Sequence, residues 1–135
     1  MVGAPRLAAV AALALLIHSA AAQNYPARPI RLVVAQSVGG NADFVSRNYA
    51  QRLAERFGKQ VVVDNRPGAT GIIATEIVAR ALPDGYTLLV APTQHAINPG
   101  LHAKLPYDPK SDFAPISLLG ISAAVVVVHL QLPVR

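Results

Sequence analysis

Ile30-Arg31-Leu32-Val33-Val34-Ala35-Gln36-Ser37-Val38-Gly39-Gly40-Asn41-Ala42-Asp43 decides how the chain reads. Ile30 to Ala35 is a nearly unbroken apolar run rich in β-branched residues, the pattern of a strand covered on both faces in a parallel sheet, with Arg31 at its exposed beginning. A glycine-bearing loop follows, and from Asn41 to Phe57 the period changes. Ala42, Val45, Tyr49, Leu53, Ala54 and Phe57 recur at three- and four-residue steps, which predicts a helix with those residues on its buried face. Arg47, Gln51, Arg52, Glu55 and Arg56 then face water, Asn41 is the expected N-cap and Gly58 the residue that ends the helix. In an open α/β sheet ligands dock at such a strand-loop-helix junction, where backbone N–H groups and the positive end of the helix dipole suit a carboxylate or a phosphate.

Toward the C-terminus the same grammar repeats. Val61-Val62-Val63 reads as a second strand ending in Asp64-Asn65-Arg66-Pro67-Gly68, and Gly71 to Leu82 as a second helix. Ile72, Ile73, Ile77, Val78, Ala81 and Leu82 supply its apolar positions, and Glu76 stands four residues before Arg80. Pro83-Asp84-Gly85 is turn chemistry, and Tyr86 to Ala91 is a third strand. Right-handed crossovers place these strands in one parallel sheet. The loops Gln36 to Asp43, Asn65 to Thr70 and Pro92 to Asn98 then emerge on one edge. Beyond them, Ala96 to Leu105 reads as a short helix interrupted at Asn98-Pro99-Gly100, and Pro106-Tyr107-Asp108-Pro109 as a turn. Ile116 to Leu119 and Ala123 to Val128 are strand-like and too short to cross a membrane.

Upstream, Tyr25-Pro26-Ala27-Arg28-Pro29 is an extended lead-in, since each proline bars regular helix. Before it come Arg6, an uncharged apolar run from Leu7 to Ile17, the polar pair His18-Ser19 and Ala20-Ala21-Ala22. That order is the pattern of a cleavable secretory signal, so residues 1–22 are expected to be a signal peptide and residues 23–135 an exported domain, with a periplasmic location. The chain has no cysteine, which excludes a disulfide framework and thiolate metal sites. Its formal charge of +5 falls to +4 without Arg6, the one charged residue of the signal. The basic residues are dispersed and lack aromatic interleaving, so nucleic acid is not an expected partner and an anionic small molecule is.

The loops carry the candidate chemistry. Gly39, Gly40, Thr70 and Gly71 are candidate backbone donors to a carboxylate, with the hydroxyls of Ser37 and Thr70 beside them. Glycines that only permit tight turns are the plainer alternative. Asp43 would repel an anion, so its expected work is to accept N–H groups at the start of the helix. His95 and His102 have no acidic residue at ligand spacing, and no metal or cofactor is expected. No Gly-x-Ser-x-Gly elbow is present, and the chain is not expected to be an enzyme. One competing reading is a dinucleotide-binding half-domain, with Asp64 at the end of the second strand as the ribose acid. Counting from Gly39, that fingerprint needs glycine at the positions of Asn41 and Phe44.

Taken together, several ordered motifs resemble the tripartite tricarboxylate transporter substrate-binding proteins, the Bug family of periplasmic solute receptors. They are Tyr25-Pro26 with Pro29 to Val34, Gly39-Gly40 with Asp43, Val63-Asp64-Asn65-Arg66-Pro67-Gly68-Ala69 with Gly71, Pro83 to Leu89, His95 to Pro99, and Leu105 to Pro109 through Asp112-Phe113-Ala114-Pro115. The resemblance implies an α/β three-layer sandwich lobe with a mostly parallel sheet, the incomplete first lobe of a two-lobed periplasmic-binding-protein fold. It implies a receptor that captures a small carboxylate in a cleft between lobes and delivers it to membrane transporter subunits. Carried onto this chain, the ligand contacts are Gln36, Ser37, Val38, Gly39, Gly40, Asp43, Ala69, Thr70, Gly71, Thr93, His95 and Asn98. Gln36-Ser37-Val38 stands where the family usually has prolines, and residues 23–135 are expected to hold the N-terminal part of lobe 1, with the second lobe absent and binding impaired. A truncated, non-functional fragment is the other alternative.

Overall fold

The computed structural model describes residues 25–121 and, beyond them, residues 123, 125, 127–129 and 131. The proposed signal peptide, residues 1–22, lies outside the described residues. The chain folds as α/β, with strands β1 (Ile30–Val34), β2 (Val61–Asn65) and β3 (Thr87–Val90) and helices α1 (Asn41–Phe57), α2 (Ile72–Ala79) and α3 (Gln94–Leu101). A single 3-10 turn, Ala69–Gly71, leads into α2. All strand pairs are parallel, in the order β2-β1-β3, with Leu32 opposite Val63 on one side and Leu88 on the other.

Central placement explains the composition of β1. Its side chains alternate between two covered faces: Ile30 and Leu32 pack with Ala50 of α1 and Val61, whereas Val33 and Ala35 pack with Ala74 of α2. Ile30, Val33 and Val34 are essentially fully buried, each such side chain contributing about 1.5–3 kcal/mol of transfer free energy. The result is helix, sheet, helix. With right-handed crossovers, every loop that follows a strand lies at the carboxyl edge of the sheet.

Helix α1 has the boundaries that the periodicity predicts, and Gly58 closes it at φ 63° with its N–H donating to the carbonyl of Ala54 at 2.9 Å. Its cap and its face differ from expectation. Gly40 is the N-cap and Asn41 the first helical residue; the cap is made from across the loop by Gln36, whose Oε1 accepts the Ala42 N–H at 3.4 Å. The face against the sheet carries Ser46 and Ala50, with Leu53 and Ala54 half-buried, while Tyr49 is 39% exposed and Phe57 is exposed as well. Small side chains win this face because they let the helix lie close to the strands. Helix α2 is shorter than expected: it ends at Ala79 with Arg80 as its C-cap, ahead of Pro83, and Leu82 is 75% exposed. The Glu76–Arg80 pair forms at 2.7 Å. Helix α3 starts earlier than expected and continues through Pro99. Ile116 to Leu119 forms no strand, and neither do the described residues of Ala123 to Val128. Among the described residues no strand lies beside either run, and a β pattern without a partner ladder has no hydrogen bonds to gain.

Candidate functional site

Three loops meet at the carboxyl edge of the sheet, and Gly71 is where they touch. A β-carbon on Gly71 would stand 3.3 Å from Ala35 Cβ in the first loop and 3.3 Å from Pro92 Cγ in the third, and its φ of +88° disfavours any L side chain. Around this junction is a cavity of about 380 Å³ lined by Ala35, Gln36, Ser37 and Gly40, by Pro67, Gly68, Thr70 and Gly71, and by Pro92 and Gln94. None of these side chains is ionisable. The donors that face it are therefore neutral.

Several backbone donors expected at the site are already engaged. The Gly39 N–H donates to Asp43 Oδ2 at 2.9 Å, that of Gly40 to the Ser37 carbonyl at 3.3 Å and that of Gly71 to the Gly68 carbonyl at 2.9 Å. Among the described residues, no acceptor pairs with the N–H groups of Ser37, Asn41 or Thr70, nor with the Ser37 hydroxyl or the Nε2 groups of Gln36 and Gln94. These are the donors left for a ligand; the Thr70 hydroxyl gives its one proton to the Ala69 carbonyl at 2.7 Å and is left as an acceptor. Asn41 opens a long helix, whose first N–H groups have no intrahelical acceptor.

Asp43 is under the loop, 3% exposed, and does not line the cavity. Its carboxylate accepts from Arg47 Nε at 3.0 Å as well as from Gly39, and a second Arg47 nitrogen lies 3.0 Å from Oδ1. The Arg47 guanidinium, then the Gly39 N–H, hold the carboxyl at about 2, well below the usual carboxylate range. Arg47 also reaches Asn65 Oδ1 at 3.3 Å, and Asn65 Nδ2 donates to the Gln36 carbonyl at 3.1 Å. The first loop is thus tied to the end of β2. Next to it, burial pushes the Asp64 carboxyl up, but Arg31 and Arg66 outweigh burial and hold it below its ordinary value. Arg31 Nε is 2.8 Å and Arg66 Nε 2.9 Å from that carboxylate, so the acid a bound ribose would need is committed to ion pairs.

Of the residues carried over by resemblance, Gln36, Ser37, Gly40, Thr70 and Gly71 line the cavity. Val38 and Gly39 sit at the exposed tip of the first loop, Ala69 is on the outer side of its turn, and Thr93 is the exposed N-cap of α3. His95 does not reach the cavity because its ring stacks on Tyr107 at 6.0 Å and meets the Phe113 ring edge-on at 5.1 Å. Asn98 is 1% exposed, with its amide turned to Thr70: Nδ2 donates to the Thr70 carbonyl at 3.2 Å, and Oδ1 lies 3.3 Å from the Thr70 hydroxyl. Gln94 lies within the expected third-loop stretch Thr93 to Asn98, whereas Ala35, Pro67, Gly68 and Pro92 were not among the expected contacts. Their signal was available, since each lies within a few residues of a strand end, where a parallel sheet opens its crevice.

Residues 45–135 match the model of the tripartite tricarboxylate transporter family receptor. A UPF0065 protein of Bordetella bronchiseptica is 46% identical over 106 residues, covering 78% of this chain and 32% of that protein. The malate-bound MatC of Rhodopseudomonas palustris is similar at 38% identity with a TM-score of 0.66, over 70% of this chain and 33% of that one. An adipate-bound R. palustris protein is similar at 41% identity with a TM-score of 0.60, over 63% of this chain and 29% of that one. The chain spans about a third of the length of these relatives. Parallel α/β architecture, the loop junction and the matched sequence agree: the chain belongs to the tripartite tricarboxylate transporter receptor family, a family of receptors and not of enzymes.

Proposed function

We propose that the chain forms one wall of the binding cleft of an exported solute receptor, which captures a small carboxylate and delivers it to a tripartite tricarboxylate-type membrane transporter. The observation that carries this reading is the cavity at the carboxyl edge, where donors from three loops converge without any ionisable side chain. Carboxylate oxygens accept such donors well, and a dipolar site needs no buried counter-charge. The malate and adipate seen in the relatives support the ligand class. Residues 1–22, read as a signal peptide, and the periplasmic setting of the resembled family support export. Among the described residues no helix is long and apolar enough to cross a membrane.

A single wall leaves part of the ligand in water, so the chain by itself is expected to bind dicarboxylates with Kd on the order of 1 mM. Amide shifts of a 15N-labelled sample, titrated with mono-, di- and tricarboxylates, test this. Saturable shifts at Ser37, Asn41, Thr70 and Gly71 are expected. Gly40→Val should abolish them, because a β-carbon there already stands 3.3 Å from the Ser37 carbonyl oxygen. A folded sample without shifts across the whole panel would remove the proposal.

A further inference from the structure

We infer that Asn98 is a positioning residue for the cavity, acting through Thr70 and not through contact with a ligand. Three consecutive residues of the second loop are left-handed: Ala69 at φ 45°, Thr70 at φ 51° and Gly71 at φ 88°. Only the last is glycine, and for Ala69 and Thr70 this backbone is intrinsically unfavourable. Some other interaction has to hold the turn. Within it the Gly71 N–H bonds the Gly68 carbonyl and the Ile72 N–H bonds the Ala69 carbonyl, closing a single tight coil.

The outside support comes from α3. Asn98 meets Thr70 twice from 28 positions away, donating to its carbonyl and facing its hydroxyl, whose single proton is shared with the Ala69 carbonyl at 2.7 Å. Asn98 is 1% exposed whereas Thr70 is exposed, so the Asn98 amide depends on Thr70 for these partners and ties an otherwise solvent-facing turn to the buried side of α3. A leucine would remove the protein donor to the Thr70 carbonyl, and an ionised aspartate would set a charge against it. Asparagine supplies a donor and an acceptor at this length. The Asn98 carbonyl in turn accepts the His102 N–H at 3.0 Å, which seats the residue in α3. Thr70, held this way, keeps its N–H without an internal acceptor at the cavity wall, and the seating of α3 sets the geometry of the second loop. What Thr70 is held for rests on the carboxylate reading; that it is held does not.

Amide hydrogen exchange on the ligand-free full chain tests the first point. Asn98→Ala is expected to raise exchange at Gly71 and Ile72 on the order of tenfold, with Val33 in β1 unchanged. Ala69→Gly, which makes the turn cheaper, should return much of that protection in the double variant. Asn98→Asp adds a signature that packing alone does not produce: after correction for intrinsic rates, protection at Gly71 and Ile72 should be present at acid pH, where the carboxyl can donate to the Thr70 carbonyl, and lost once it ionises. Unchanged exchange in Asn98→Ala, a rise spread equally over β1, or a pH-independent Asn98→Asp would overturn the inference. Where Asn98→Ala fails to fold, the Asn98→Asp pH comparison decides. Titration with adipate separates the two readings. If the native chain shows no adipate shifts while the exchange results hold, the carboxylate reading falls and the support of Thr70 stands. If the native chain binds and Asn98→Ala binds equally with a loosened turn, the role of Asn98 in the site falls.

Discussion

Asp43 carries its charge a few residues from the cavity, and Arg47 is what keeps that charge from acting as a free anion. Its carboxylate fixes Gly39 and is held at about 2 by the Arg47 guanidinium and the Gly39 N–H. The sign of the pH dependence follows. A carboxyl whose folded pKa lies below its unfolded value adds stability above the unfolded value, near 4 for aspartate, and that stability disappears as the pH falls through the folded value. The urea midpoint is therefore expected to drop between about pH 4 and pH 2. In Asp43→Asn the drop should be smaller, and its absence as a difference between the two proteins would argue that other carboxylates govern acid unfolding. The acceptor half of this role was legible in the sequence, because an acid in the first turn of a helix meets free N–H groups, whereas Arg47 was expected to face water and its pairing with Asp43 was not read. Asn98 and His95 were not legible in the same way. Which side chains of α3 turn to the cavity depends on how that helix docks, with His95 drawn toward Tyr107 and Phe113 and Asn98 toward Thr70.

Helix α1 shows what periodicity can and cannot supply at the level of an element. Its ends follow from local chemistry, the glycine loop before it and Gly58 after it; the span Asn41–Phe57 matches expectation, with the N-cap one residue earlier, at Gly40. Its face does not, because counting apolar residues favours large side chains such as Tyr49 and Phe57, whereas close approach to a sheet selects small ones. Ser46 is 0% exposed, and its hydroxyl donates back to the Ala42 carbonyl at 2.6 Å, so it spends no hydrogen bond on the sheet. Ser46→Ala should accordingly change stability by less than about 0.5 kcal/mol, while Ser46→Leu should cost about 1–3 kcal/mol through overpacking. Urea denaturation of the pair checks this. Equal losses in both variants would mean that the hydroxyl, and not the space, is what the position requires. The runs after Phe113 mark the other limit of sequence reading: apolar patterning nominates a strand, but only a neighbouring ladder makes one.

At the scale of the whole molecule, charge and site are separated. The chain carries a net +5, yet the arginines near the cavity are spent on carboxylates, Arg47 on Asp43 and both Arg31 and Arg66 on Asp64. The cavity is lined by Ala35, Pro67 and Pro92 together with uncharged polar groups, the side chains of Gln36, Ser37, Thr70 and Gln94 and the backbone of the glycines. Two consequences distinguish such a dipolar site from an arginine clamp, given the proposed carboxylate ligand. First, the protein contributes no titrating group in the neutral range, so affinity should be flat from about pH 6 to pH 8 and should fall at lower pH only as the ligand itself is protonated. Second, dipoles fall off faster with distance than charges and are little affected by the ionic atmosphere, so raising salt from about 0.1 to 0.5 M should weaken binding by less than about threefold. Dicarboxylate titrations followed by amide shifts at Thr70 and Gly71 measure both. A loss of tenfold or more with salt, or a titration near neutral pH that the ligand does not share, would place a charged side chain in the binding wall and make Arg66 a ligand contact.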